Sequence, residues 1–167
     1  MFYTNRPKIK VPFTTLDLCI ELLSIALLVF MWAYLIMHFG ELPDKVPSHY
    51  NAAGEADSYS GRGFVFFIPI IATGLYAFLL LLTRYPHLNN YMVNITEDNA
   101  YKQYRFSVYV LRVVNLLCVI MFLYINHHII QGAINQHSEL GKGFLITVFG
   151  MSIVIPIAII FYQNRLK

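Results

Sequence analysis

Charge is scarce in this chain. Aspartate, glutamate, lysine and arginine together make up 13% of its 167 residues and apolar types 57%, whereas soluble domains carry about a quarter charged residues. That mix excludes an ordinary water-soluble domain. Cysteine is nearly missing: Cys19 and Cys118 are the two present, too few for a disulfide framework or a cysteine-rich metal module. Both fall inside apolar runs, where a free thiol behaves as a small apolar group, so no disulfide is expected. Strict alternation of polar and apolar residues is lacking, and leucine, isoleucine and methionine are frequent. The apolar runs therefore read as helices rather than as strands of a membrane barrel. No His-Glu-x-x-His helix, Gly-x-Ser-x-Gly elbow or cysteine in a polar setting marks an enzyme.

What is present is four uncharged runs long enough to cross a hydrocarbon core of about 30 Å. They predict helices over about 14–40, 63–84, 105–134 and 143–163, an all-α polytopic membrane protein with a four-helix up-down bundle as a single domain over 1–167. The first run begins late, is too long for a signal peptide and has no small-residue cleavage site, so it is expected to stay in the protein.

Lysine and arginine near span ends set orientation. Arg6, Lys8, Lys10, Arg84, Lys102, Arg105, Arg165 and Lys167 fall on one side, against Lys45, Arg62 and Lys142 on the other. Both termini are thus expected in the cytoplasm, and the loop over 41–62 outside. The net charge of +3 is then explained by contact with anionic lipid, and nothing argues for nucleic acid. The glycosylation triplet at Asn94 to Thr96 would lie on the cytoplasmic side and reads as chance.

Ionisable residues inside spans stand out because a charge there costs a few kcal/mol without a partner. Asp17 and Glu21 are four apart and share a helix face; Arg105 and Arg112 are seven apart and share another, which Asn115 continues. Glu21 and Arg112 sit at equal depth, roughly 10 Å below the boundary at 1.5 Å per residue. The economical arrangement is a Glu21–Arg112 ion pair joining helices one and three; a snorkelling Arg112 is the competing one.

Five of the six histidines, His38, His49, His127, His128 and His137, fall toward the outer side. Histidine is the commonest metal ligand and titrates near neutrality. A divalent metal on His49, Asp57, His127 and His128 is one reading; histidines capping helix ends and facing headgroups is another. Adjacent His127 and His128 diverge by about 100° on a helix, which is poor metal geometry. No other cofactor is implied.

The outer loop is the one polar stretch between two long apolar runs, and its backbone cannot lie in hydrocarbon unshielded. Pro43 and Pro47 stiffen an extended entry. Asn51 to Gly54 reads as a turn, and Ser58 to Gly61 as a second. An ordered loop then carries His49, Asn51, Glu55 and Asp57 at fixed spacings. The pattern Leu42-Pro43-Asp44-x-x-Pro47-x-His49-x-Asn51-x-x-Gly54-Glu55-x-Asp57-x-Tyr59, directly after a first membrane helix, resembles the small domain of unknown function at the start of SdpI-family immunity proteins. Arg112, Asn115 and Tyr124 add a looser similarity. The resemblance implies a multi-pass protein of the bacterial inner membrane, in an immunity or signalling role, that binds an extracytoplasmic peptide or toxin through Pro43, Pro47, His49, Asn51, Gly54, Glu55, Asp57 and Tyr59. Proteins of that type carry further membrane helices after this domain, so a homo-oligomer is one way for four helices to suffice. A small oligomeric transporter subunit and a metal-dependent membrane hydrolase are the alternatives.

Overall fold

The computed structural model describes residues 6–166. Four helices, α1 (Thr15–His38), α2 (Phe67–Arg84), α3 (Glu97–Ile134) and α4 (Lys142–Arg165), are long and apolar enough to span a membrane. Between α1 and α2 stands a two-stranded antiparallel hairpin, β1 (Lys45–Tyr50) and β2 (Ala56–Gly61). Short 3-10 turns at Phe39–Glu41 and Arg62–Phe66 join it to the two helices.

Local chemistry sets the helix ends. Thr14 caps α1 in a capping box: its hydroxyl receives the Asp17 N–H, and the Asp17 carboxylate receives the Thr14 N–H, satisfying two backbone donors that the helix start leaves open. Thr96 and Asn99 repeat that box at α3. This is why α3 begins at Glu97 rather than near 105, as the apolar run alone suggests. Its 38 residues make it about 57 Å long at 1.5 Å per residue, well beyond a single hydrocarbon crossing.

α3 is the axis of the molecule and packs on α1, α2 and β1. Three apolar clusters stack along it. Under the hairpin, Leu35, Leu42, Val46, Val65, Ile129, Ile130 and Ala133 are buried together. The middle holds Leu28, Met31, Ala72, Tyr76 and Val119. At the opposite end Tyr91, Val93, Ile95, Ala100 and Tyr104 pack with Ile9 and Val11 from the N-terminal tail. The periphery is inverted relative to a soluble protein: Val29, Ile36, Met37, Ile70, Phe149 and Ile157 are all exposed. An apolar shell of this kind is the solvent-facing surface of a protein whose solvent is lipid.

α4 is held differently. Its one buried residue among those described is Gln163, and it touches the rest mainly at its ends. Near its start Phe144 stacks on Tyr124 with centroids 4.6 Å apart. Near its end Gln103 Nε2 donates to the Gln163 carbonyl at 2.9 Å, the Met92 N–H donates to Gln163 Oε1 at 3.2 Å, and Tyr162 packs at a tilt on Phe106.

Candidate functional site: a pinned hairpin above a buried ion cluster

The hairpin begins with Pro43 exposed and Pro47 buried at the core. Pro47 has no N–H to give the ladder, and it sits where the register shifts, between the Pro47–Tyr59 and His49–Ser58 pairs, as strand prolines do. The tip is an Asx turn. Asn51 Oδ1 accepts from the N–H groups of Ala53 at 2.8 Å and Glu55 at 3.1 Å, while Gly54 N–H donates to the Asn51 carbonyl at 2.9 Å. Gly54 has φ +84°, a conformation that glycine adopts without steric cost. A second turn at Ser58 to Gly61 does not form. Those residues lie in β2, because pairing with Lys45 to His49 satisfies backbone groups that a turn would leave to water.

Several contacts fasten this tip to the α3–α4 connection. Ala56 N–H donates to the Ser138 carbonyl at 3.2 Å, and Leu140 N–H to the Gly54 carbonyl at 2.8 Å. Tyr50 and Ser138 share a hydroxyl hydrogen bond of 2.6 Å, and the Ser138 hydroxyl also donates to the His128 carbonyl. Burial pushes the Tyr50 phenol above its usual pKa. The connection can approach because Gly132 lacks a Cβ: one built there would meet the Ser138 side chain and come within 2.7 Å of its Cα. Tyr124 OH closes the assembly on the Leu140 carbonyl at 2.9 Å.

What the fastened hairpin leaves outward is polar. His49 Nδ1 lies 2.6 Å from Asp57 Oδ1, with the two side chains 68% and 42% exposed. Asp57 occupies Nδ1, so Nε2 is the nitrogen left for another group. Tyr59 beside them is exposed. Glu55 receives the Asn51 amide at 3.2 Å and faces Glu139 across an isolated bridge.

The four residues read as a metal set do not assemble. His49 and Asp57 pair on the hairpin; His127 packs at a tilt on Tyr34 of α1, and His128 at a tilt on Tyr124 of α3 itself. Their divergence follows from the turn per residue of a helix. Among the described residues no group of three or more His, Cys, Asp or Glu is placed to hold a metal ion. Cys19 and Cys118 are both free thiols.

Below the middle cluster α1, α2 and α3 are locked by charge. Arg112 Nε donates to Glu21 Oε1 at 3.0 Å, the pair expected from equal depth. Asp17 completes a larger set. It receives Arg105 Nη1 at 2.6 Å, and its Oδ1 lies 3.2 Å from Arg112 Nη1, close enough for charge pairing although not aligned for a hydrogen bond. Tyr76 of α2 donates to Glu21 Oε2 at 2.8 Å, and the Asn115 amide donates to the Tyr76 carbonyl. Two carboxylates and two guanidiniums balance. Sequence reasoning left out Tyr76, and only the i, i+4 spacing of Asp17 and Glu21 pointed to the role of Asp17.

Residues 26–73, from mid-α1 through the whole hairpin into α2, match a family model described as a domain of unknown function, DUF1648. A stretch of 74 residues is 32% identical to an uncharacterized protein of Archaeoglobus fulgidus, covering 43% of this chain and 39% of that one. The chain thus spans about two fifths of that relative's length. No solved structure matches.

Proposed function

We propose that this chain is a non-enzymatic, multi-pass protein of the bacterial inner membrane that uses its hairpin to recognise an extracytoplasmic peptide or toxin, in the manner of the SdpI immunity and signalling proteins it resembles. The observation that carries the reading is the hairpin itself. A polar segment is fastened at its base, tip and Tyr50 while His49, Asp57 and Tyr59 stay exposed. Holding recognition groups in place before the ligand arrives removes an ordering cost from binding. The basic residues concentrated at the opposite end favour cytoplasmic termini. Contacts between Glu21 and Tyr76, Glu21 and Arg112, and Tyr124 and Phe144 fit an alternating up-down order.

Sensitive bacteria expressing the full chain, challenged with a panel of secreted membrane-active peptide toxins, test the reading. Survival conferred by the wild type and lost in both His49→Ala and Asp57→Ala, at equal membrane abundance, is expected. Equal survival with and without the chain across the panel would sink it. Neither transport nor metal-dependent hydrolysis gains a specific observation from the geometry.

A further inference from the structure

The fold leaves one edge of the hairpin unfinished. β2 pairs with β1 on one side. On its other side a short segment is added at the tip alone, where the Ala56 N–H donates to the Ser138 carbonyl and the Leu140 N–H to the Gly54 carbonyl. The connection then leaves the edge, because Gln136 has φ 56° and the His137 N–H turns back to the Gly132 carbonyl. Among the described residues no third strand lies beside 57–61, and Asp57, Ser58, Tyr59 and Gly61 are exposed. A bare edge presents unpaired N–H and C=O groups that another chain can join as a further strand. Proteins blunt such edges with lysine or proline, and β2 has neither. Its five open residues span about 17 Å.

Charge selects what joins. Glu55 and Glu139 stand directly opposite each other. The two backbone bonds flank that pair rather than join it, the arrangement in which cross-strand side chains come closest, and like charges so placed repel. Asp57 follows two residues along. The side-chain partners of the three carboxylates are His49, His137 and the Asn51 amide; among the described residues none of the three pairs with a lysine or arginine. A second copy of β2 would bring the same sign. A strand bearing lysine or arginine brings the opposite one, and the exposed Tyr59 ring is a further surface for a cation. We propose that the β2 edge over 57–61 docks an extended cationic peptide, which adds as a strand and sets its lysine or arginine side chains against Glu55, Asp57 and Glu139. The inference rests on the peptide-recognition reading and gives that ligand a charge and a backbone conformation.

The full chain in an uncharged detergent, mixed with an alternating lysine–valine hexapeptide, tests it by binding and by amide hydrogen exchange. Bound peptide is expected to slow exchange of the outward amides in 57–61 about tenfold, because pairing protects them. A variant carrying Glu55→Gln and Glu139→Gln, which relieves a repulsion and so keeps the fold, binds about tenfold more weakly, as for two exposed ion pairs lost. The same hexapeptide N-methylated along its backbone keeps its charge, cannot pair, and loses both effects. No binding, equal binding by a glutamate–valine hexapeptide, or binding that leaves exchange at 57–61 unchanged overturns the proposal. So does slowed exchange that appears on raising the protein concentration without peptide, which marks a second copy as the occupant. The two readings fail separately: toxin survival without protection of 57–61 removes the docking edge and leaves immunity, whereas protection of 57–61 without toxin survival removes immunity and leaves the edge.

Discussion

Arg112 illustrates how much a single buried group commits a membrane protein to one packing. It is 8% exposed and lies against two carboxylates. Removing one partner of a buried pair strands the other and costs about 3–5 kcal/mol. Arg112→Leu is therefore expected to lower unfolding stability in detergent by that order, and Glu21→Gln by less, because Arg112 keeps Asp17. If Arg112→Leu melts with the wild type, the cluster does not hold the helices. Asn126 gives the opposite sign. Both of its amide atoms are buried without a partner, and an unsatisfied buried polar group costs about 1–3 kcal/mol. Asn126→Leu should raise the midpoint of chemical unfolding; an unchanged or lower midpoint would mean that the amide is satisfied in the membrane. At Gly132 the added methyl of alanine collides with Ser138, and overpacking costs about 1–3 kcal/mol. Limited proteolysis between α3 and α4 should then accelerate. The ion pair of Glu21 and Arg112 was legible because depth in a membrane can be counted along the chain. Tyr76, Ser138 and Gly132 were not, since each matters through a neighbour that only the folded chain supplies.

Among the elements, the helices were the easiest to anticipate, because a bilayer imposes a length and a composition on anything that crosses it. Their ends were harder. The apolar run locates the part of α3 that needs hydrocarbon and ignores the turns before Arg105, which the Thr96–Asn99 box starts and which pack Ala100 and Tyr104 against the tail. The hairpin was expected as an ordered loop with two turns, and one of them is strand β2. Serine, tyrosine and glycine in a row serve turns and edge strands equally well, and the choice is made by the partner strand. The connecting segment between α2 and α3 carries its own expectation. Tyr91 donates its hydroxyl to the Pro86 carbonyl, and burial pushes its pKa from 10.0 up to about 12. A raised folded pKa means that the protonated phenol is the stabilising form. Its contribution is complete below pH 10 and is lost as pH rises toward about 12. The thermal midpoint should fall across that window, and Tyr91→Phe should flatten part of the fall. An identical slope in the variant would remove Tyr91 from the explanation.

For the molecule as a whole, basic residues concentrate at one end and the polar hairpin stands at the other, an asymmetry expected to orient the chain across a membrane. A reporter active only in the cytoplasm should work when fused to either terminus and fail when inserted at Ala52 in the turn. Activity at Ala52 and silence at the termini would invert the protein. α3 ties these regions together in a way the clusters alone do not convey. It meets β1 and the Ser138 segment at one end, and Pro7, Asp17 and Gln163 at the other, through Tyr104, Arg105 and Gln103. An uninterrupted rod about 57 Å long behaves as a lever: rocking by about 5° about its centre swings each tip by roughly 2.5 Å in opposite senses. A ligand that tilted α3 through the hairpin would therefore move the contacts to Pro7 and Gln163 at the far end in the opposite sense, with Arg112 near the fulcrum.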